Sequence, residues 1–182
     1  MHNYYLKKFY FIEHFNKEHI RSLNKNIIII YRNYSKKYEE KEILEIKKFC
    51  KSIYRKFYLA NNIKLANKLN LDGVYIPSFN RSLAVKILKN KNISVVGSAH
   101  NIKEINEKKK QGVELIFISP VFKTLKSSKY LGIIKFNNLS KLNNNNSIAL
   151  GGINQSNLKQ IKNQNCFGYA SISYIKENRI FY

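Results

Sequence analysis

Cysteine is scarce in this chain: Cys50 and Cys166 are the two cysteines among 182 residues. They lie far apart and lack the spacing of a metal motif, so the sequence predicts neither a disulfide framework nor a zinc site. No run approaches the roughly 18 apolar residues that span a bilayer, and the N-terminus lacks a short apolar segment with a small-residue cleavage site. We therefore expect reduced, buried cysteines in a cytoplasmic protein with no membrane partner.

Acidic side chains are also few, since Asp and Glu number 11 against 33 Lys and Arg, and the formal net charge is +22. Such basicity is typical of proteins that bind nucleic acid or anionic membranes, because clustered cations release counterions from phosphates. Here Lys is spread along the whole chain together with Asn and Ile. This pattern favours a general compositional bias, and we expect no nucleic-acid partner.

Short apolar runs alternate along the chain with amphipathic segments, as in consecutive βα units. The length of 182 residues fits a single domain over residues 1–182. The expected strands are Phe9–Glu13, Ile27–Tyr31, Lys56–Leu59, Gly73–Ile76, Ser94–Gly97, Leu115–Ile118, Ser147–Leu150 and Gly168–Ser171.

Most of these strands are followed by a segment in which apolar residues recur at the spacing of a helix. A short first helix is expected at Lys17–Leu23, and the residues after the last strand leave room for a short eighth helix or none. The fold class is therefore α/β, a compact (β/α)8 TIM barrel with stunted first and last helices; an open doubly wound sheet is the alternative. The other expected helices are Glu39–Ser52, Ile63–Leu69, Ser82–Lys89, Ile102–Gln111 and Gln155–Asn163.

Small and hydroxyl-bearing residues follow the last two expected strands, as Gly151-Gly152 and Ser171-Ile172-Ser173. In such barrels the site lies at the carboxyl ends of the strands, and phosphate commonly binds the loops after strands seven and eight. Glycine allows close approach of the backbone to an anion, and exposed N–H groups act as donors. Two glycines also suit a plain turn, but their pairing with Ser-Ile-Ser favours a phosphate site.

Three motifs occur in order in the second half of the chain: Gly97-Ser98-Ala99-His100, Ser119-Pro120-Val121-Phe122-Lys123-Thr124 and Ala149-Leu150-Gly151-Gly152-Ile153. They resemble the Gly-Val-Ser-x-His, Gly-Pro-x-Phe-x-Thr and Ala-x-Gly-Gly-Ile segments of the family that contains thiamine phosphate synthase and thiazole tautomerase. The resemblance spans nearly the whole chain. Tyr10-Phe11-Ile12, Tyr31-Arg32, Leu59-Ala60-Asn61-Asn62 and Leu71 to Ile76 resemble the first four strands of that family.

This resemblance implies an enzyme of thiamine (vitamin B1) biosynthesis that holds a thiazole phosphate on the loops of strands six to eight. In the synthase a pyrimidine diphosphate also binds, loses pyrophosphate with the help of Mg2+, and is captured by the thiazole nitrogen. The implied catalytic residues are His100, Arg32 and Lys126. The implied substrate-binding residues are Asn61, Asn62, Asn80, Ser98, Thr124, Gly151, Gly152, Ile172 and Ser173.

The chain departs from the family at the diphosphate end. Asn62 and Asn80 stand where the two magnesium aspartates are expected, and neutral amides hold Mg2+ more weakly than carboxylates do. Of the family signature Gln-x-Arg-x-Lys, this chain retains only Arg32. Lys36 or Lys37 would substitute for the missing lysine. Lys126 stands one place early in the loop after strand six. A guanidinium at a barrel strand end is costly unless it faces an anion, which favours a binding role for Arg32.

A tautomerase moves a proton on a thiazole phosphate and needs an anion site and a general acid or base, but no metal. His100 is the candidate, since imidazole exchanges protons near neutral pH. The same histidine also occurs in the synthase motif and often only begins a helix. Three hypotheses therefore remain from the sequence: a synthase, a metal-free tautomerase and a noncatalytic binder of a phosphorylated small molecule.

Other polar groups have simpler interpretations. The run Lys108-Lys109-Lys110 is expected on the solvent-facing side of its helix, and Asn143–Asn146 is expected to form a loop. His2, His14 and His19 are expected to be solvated.

Overall fold

A computed structural model describes residues 6–35, 37–88, 91–125 and 127–171. The predicted site residues Lys126, Ile172 and Ser173, together with Lys36 and His2, lie outside the described residues, as does the rest of the chain after Ser171.

Eight parallel strands form a closed barrel in sequence order, β1 to β8. The last strand pairs with the first, with Lys7 opposite Gly168, which closes the sheet. The predicted (β/α)8 fold is therefore confirmed, and the open sheet is wrong. The strands are β1 (Lys7–Ile12), β2 (Ile27–Tyr31), β3 (Phe57–Ala60), β4 (Gly73–Ile76), β5 (Ser94–Ala99), β6 (Leu115–Ile118), β7 (Ser147–Leu150) and β8 (Gly168–Ala170).

Helices connect the strands on the outside of the barrel. The first has six residues, so the prediction of a stunted first helix is confirmed. The predicted α-helix at Ser82–Lys89 is wrong in type, because a 3-10 helix occupies Leu83–Leu88 and buries Val85 and Leu88, three residues apart. The α-helices are α1 (Lys17–Ser22), α2 (Glu40–Ser52), α3 (Ile63–Lys68), α4 (Ile102–Lys110), α5 (Gly132–Leu142) and α6 (Leu158–Lys162).

Helix α5 was not predicted. Its sequence, GIIKFNNLSKL, begins with glycine and contains two asparagines and a serine, which are weak helix formers. Burial of Phe136 and Leu139 against the barrel stabilises it instead.

Aromatic rings fill the interior of the barrel. The ring of Phe117 makes edge contacts with Phe9, Phe11 and Tyr75, at centroid distances of 5.0, 5.8 and 5.5 Å. Alternate residues of each strand point inward, so short strands supply both this interior and the layer beneath the helices. The barrel interior is therefore packed with aromatic side chains and is not an open channel.

Several polar and sulfur-containing side chains lie in or near the core. Cys50 and Cys166 are buried and free, as expected. His19 is half-buried, and its Nε2 atom lies 2.9 Å from the hydroxyl of Tyr10, so the prediction that it is simply solvated is wrong. The prediction of a solvent-facing lysine run is also wrong for Lys108, which is 0% exposed. Within the described ranges, no helix is long and apolar enough to cross a membrane.

Candidate active site

The described candidate residues follow consecutive strands at one end of the barrel. Arg32 comes directly after β2, and Asn61 and Asn62 come directly after β3. In a parallel barrel the carboxyl ends of all strands meet at one face, so the topology gathers these residues there. The remaining residues at this face are Asn80 after β4, Ser98 within β5, His100 after β5, Thr124 after β6, and Gly151 and Gly152 after β7.

A cavity of about 490 Å3 opens above the ends of β2 and β3. Aromatic side chains form part of its wall, and the Tyr34 and Phe79 rings pack edge to face with centroids 5.6 Å apart. Among the described residues that line it, Lys37 is the one cation and none is a carboxylate. The lining residues are Asn33, Tyr34, Lys37, Tyr38, Asn61, Asn62 and Phe79.

The guanidinium of Arg32 lies at the edge of this region. Its Cζ atom is 4.6 Å from the ring centroid of Phe11. Its Nη2 atom is 3.9 Å from a carboxylate oxygen of Glu13, whose side chain is largely exposed. Because an exposed pair at this distance contributes little, the charge of Arg32 remains available to an anion.

Tyr75 connects Arg32 to the interior of the barrel. Burial raises the pKa of Tyr75, while interactions with Ser98 and Arg32 oppose that rise. The phenol therefore stays neutral, and it interacts with both the buried serine and the guanidinium. Ser98 is 5% exposed and is the second-last residue of β5, next to the carboxyl end of that strand.

The three asparagines of the predicted substrate site already hydrogen-bond within the protein. Asn62 begins α3, and its Oδ1 atom accepts the N–H of Leu65 at 3.0 Å. The Oδ1 atom of Asn80 accepts the N–H of Ser82 at 2.8 Å. Asn61 accepts the side-chain amide of Asn80 at 2.7 Å.

This donor set does not fit the Mg2+ that the family resemblance implies. Mg2+ binds carboxylate oxygens in near-octahedral geometry, whereas the atoms present here are neutral amide oxygens oriented by other donors. In the described parts of the chain, no group of three or more His, Cys, Asp or Glu residues is placed to hold a metal ion.

His100 begins the segment that leads into α4. Its Nδ1 atom lies 2.8 Å from Oε2 of Glu104, and the same oxygen accepts its backbone N–H at 2.8 Å. Burial would raise the pKa of Glu104, but the hydrogen bonds from His100 and Asn101 outweigh it and the pKa falls. An ionised carboxylate only accepts hydrogen bonds, so the proton of neutral His100 belongs on Nδ1 and Nε2 carries the lone pair.

The loop after β7 contains two consecutive glycines with left-handed backbone conformations. Gly151 and Gly152 have φ values of 93° and 68°. A Cβ atom on Gly152 would lie 2.3 Å from the carbonyl oxygen of Lys123, so the loop after β6 also requires glycine there. No described residue accepts a hydrogen bond from the amide nitrogens of Gly151, Gly152 or Ile153. Consecutive N–H groups without a protein acceptor are able to donate hydrogen bonds to an anion.

Thr124 lies beside this loop. A Cβ atom on Gly151 would be 3.6 Å from the Cγ2 atom of Thr124. The Thr124 hydroxyl accepts the N–H of Ser127 at 3.1 Å, which closes a tight turn after β6. The hydroxyl of Ser171, at the end of β8, donates to the carbonyl of Ile153 at 3.0 Å. Residues that follow β6, β7 and β8 therefore lie next to one another at Thr124, Gly151 to Ile153 and Ser171.

Sequence reasoning missed several residues of this face. Tyr34, Tyr38 and Phe79 line the cavity, but aromatic residues occur throughout the chain and carried no local signal. Glu104 had one available signal, because Asn101-x-x-Glu104 is the pattern of a helix capping box.

Several known proteins are similar to this chain in sequence or fold. A thiamine-phosphate synthase of Prochlorococcus marinus subsp. pastoris is 33% identical over 136 residues, which is 73% of this chain and 39% of that protein. Another thiamine-phosphate synthase, from Pelagibacter ubique, is 33% identical over 74% of this chain and 67% of its own length. The chain thus spans about two fifths of the Prochlorococcus relatives and two thirds of the Pelagibacter one.

A solved structure of thiamine phosphate pyrophosphorylase from Pyrococcus furiosus shares the fold, with a TM-score of 0.77 and 19% identity over 96% of this chain and 92% of that one. The family model described as thiamine monophosphate synthase matches residues 18–175. This chain belongs to the thiamine monophosphate synthase family.

Proposed function

We propose that this chain acts in thiamine biosynthesis as a thiamine phosphate synthase-like protein that binds a thiazole phosphate at the loop after β7. The observation that carries the proposal is the run of amide groups at Gly151, Gly152 and Ile153, which have no acceptor among the described residues. A phosphate monoester would accept these hydrogen bonds. By the family resemblance, Ile172 and Ser173 are proposed to bind the same phosphate.

The coupling reaction of the family would use the cavity above β2 and β3 for the pyrimidine diphosphate. In that reaction the bond from the pyrimidine methylene carbon to oxygen breaks, and pyrophosphate leaves with the electron pair. The thiazole nitrogen then forms the new carbon–nitrogen bond. Arg32 and Lys37 are the described cations that would stabilise the leaving group in this region. Lys126 is proposed to join them from the loop after β6.

A thiazole phosphate tautomerase is the second candidate, and the pairing of His100 with Glu104 favours it. With its proton on Nδ1, neutral His100 would accept a substrate proton at Nε2. The imidazolium so formed would be stabilised by the adjacent carboxylate and would return the proton to the other position of the thiazole. No metal takes part in such a transfer. A noncatalytic binder would hold the phosphorylated ligand at the loop after β7 and catalyse neither reaction.

Calorimetric titration with thiazole phosphate tests the proposal, first with EDTA present and then with the pyrimidine diphosphate added with and without Mg2+. We expect binding of the thiazole phosphate in EDTA. Release of pyrophosphate would assign synthase activity, whereas isomerisation of the thiazole without pyrophosphate release would assign tautomerase activity. Binding with neither reaction would leave a binder, and absence of binding would refute the ligand assignment.

A further inference from the structure

Lys108 is a fully buried lysine at the end of α4. Its Nζ atom donates to the backbone carbonyl of Asn80 at 2.6 Å and to Oε1 of Gln111 at 2.8 Å. A buried ammonium group is costly unless it is hydrogen-bonded, so these contacts determine where the side chain lies. The lysine joins α4 to the loop after β4.

Gln111 holds the same loop from a second position. Its Nε2 atom donates to the carbonyls of Asn80 and Ser82, at 3.0 and 2.8 Å. Gly97 on β5 makes room for the lysine stem, because a Cβ atom there would lie 3.2 Å from the Cδ atom of Lys108. The backbone carbonyl of Asn80 therefore accepts two hydrogen bonds, which fix the orientation of the backbone at this residue.

The side chain of Asn80 links the loop after β4 to the residue that follows β3. Its Nδ2 atom donates to Oδ1 of Asn61 at 2.7 Å. Asn61 in turn lines the cavity above β2 and β3, and its backbone has a left-handed φ of 57°. A continuous set of hydrogen bonds thus runs from the buried lysine to the wall of the cavity.

We propose that Lys108 is a positioning residue, which orients Asn80 so that its amide joins the ends of β3 and β4 and fixes Asn61 in the cavity wall. The family resemblance places carboxylate-bound Mg2+ at these two strand ends. In this chain a buried ammonium group and two amides connect them instead, so the cavity is organised without a divalent cation.

Charged groups surround Lys108 from two sides. Glu104 and Glu107 lie on its own helix, and Arg81 approaches from the loop after β4, with its Nε atom 3.3 Å from Oε2 of Glu107. Burial lowers the pKa of Lys108 to about 8, while the two glutamates oppose that shift. The lysine therefore remains largely charged at neutral pH.

The direct test needs no ligand. Lys108→Met keeps the length of the side chain but removes its donors, and Lys110→Met removes an exposed charge from the same helix end as a matched control. The readout is the side-chain amide signals of Asn61 and Asn80 in a nitrogen–proton NMR spectrum, assigned with Asn61→Ala and Asn80→Ala. We expect the Asn80 signal to move towards its free-amide position in Lys108→Met alone, and the signal of Asn61, whose amide oxygen accepts this hydrogen bond, to shift with it. Unchanged signals in Lys108→Met would overturn the inference.

Gln111→Met provides a second variant should Lys108→Met fail to fold, because it removes the other donor to Asn80 and one acceptor of Lys108. The same two amide signals are expected to move. A folded Gln111→Met protein with both signals in place would contradict the proposed arrangement.

A ligand measurement separates positioning from general stability, and this arm rests on the proposed function. The probe is inorganic pyrophosphate in EDTA, titrated into the wild type, Lys108→Met, Asn80→Ala and the double variant. If Lys108 acts through Asn80, Lys108→Met should weaken pyrophosphate binding roughly tenfold when it is the single substitution. In the Asn80→Ala background the same change should weaken binding less than about twofold.

An equal loss in both backgrounds would mean that Lys108 does not act through Asn80. If the wild type binds no pyrophosphate, the diphosphate part of the proposed function fails, and the NMR comparison decides the inference by itself.

Discussion

The carboxylate of Glu104 accepts both the backbone N–H and the Nδ1 proton of His100 on one oxygen, each at 2.8 Å. This single contact couples the start of α4 to the one histidine at the carboxyl face that the motifs select. It sets the tautomer of the imidazole and gives the histidine a fixed backbone anchor.

Glu104→Gln should remove the charge of this pair while keeping a side chain that can cap the helix. The pKa of Glu104 is lowered in the folded protein, so its contribution is present above the unfolded pKa of about 4.3 and is lost as pH falls through the lower folded value. We expect the wild type to exceed Glu104→Gln in free energy of unfolding at pH 7, by about 1 kcal/mol. Urea unfolding at pH 7 and pH 3 measures this.

The difference should shrink at pH 3. If the two proteins differed in free energy of unfolding by the same amount at both pH values, the carboxylate charge would contribute nothing to stability through His100.

Gly152→Ala should destabilise the protein more than Gly112→Ala. Both glycines have positive φ, but a Cβ atom at Gly112 meets nothing within 4 Å, whereas at Gly152 it lies 2.3 Å from the Lys123 carbonyl oxygen. Gly112→Ala should cost about 1 kcal/mol from backbone strain alone, and Gly152→Ala about 2 kcal/mol more. Urea unfolding compares them, and equal losses would argue against close packing of the loops after β6 and β7.

Lys108 should make stability depend on alkaline pH. Its pKa is lowered to about 8 in the folded protein by burial, so between about pH 8 and 10 the unfolded chain holds a proton that the folded chain has lost. The free energy of unfolding of the wild type should therefore rise with pH relative to Lys108→Met, by at most about 1.4 kcal/mol per pH unit. Chemical unfolding at pH 7, 8 and 9 tests this.

Buried tyrosines and cysteines affect both proteins alike and cancel in that comparison. Lys110→Met serves as the control for removing an exposed lysine charge from the same helix end. A constant difference for Lys108→Met as well would contradict a depressed pKa at Lys108.

Phe117→Ala should lower the free energy of unfolding by about 3–5 kcal/mol, because it removes a fully buried ring from the centre of the barrel. Phe79→Ala is the comparison at the cavity, where the ring is 65% exposed. It should change stability by less than about 0.5 kcal/mol. Thermal unfolding followed by circular dichroism distinguishes the two, and similar losses would contradict the aromatic filling of the barrel.

The barrel could be predicted from sequence because each strand is a short apolar run bounded by polar residues, and such a signal is local. The strand β4 at Gly73–Ile76 coincides with its prediction for this reason. Helix α5 was missed because its residues are weak helix formers whose order comes from packing Phe136 against the barrel.

The internal arrangement of the site depends on contacts distant in sequence. Asn61 and Asn80 are 19 residues apart, and Lys108 reaches the Asn80 carbonyl across 28 residues. A Lys-Lys-Lys run looks solvated in sequence, and only the close packing of α4 on Gly97 shows that its first member is buried. Such pairings cannot be read from local patterns.

The most direct test of the central claim is a nitrogen–proton NMR titration of the protein with thiazole phosphate in EDTA. We expect saturable shifts of the backbone amide signals of Gly151, Gly152 and Ile153, and we expect these shifts to weaken in Gly152→Ala. Saturable binding that leaves these three amides unmoved, or no binding at all, would contradict a phosphate site at the loop after β7.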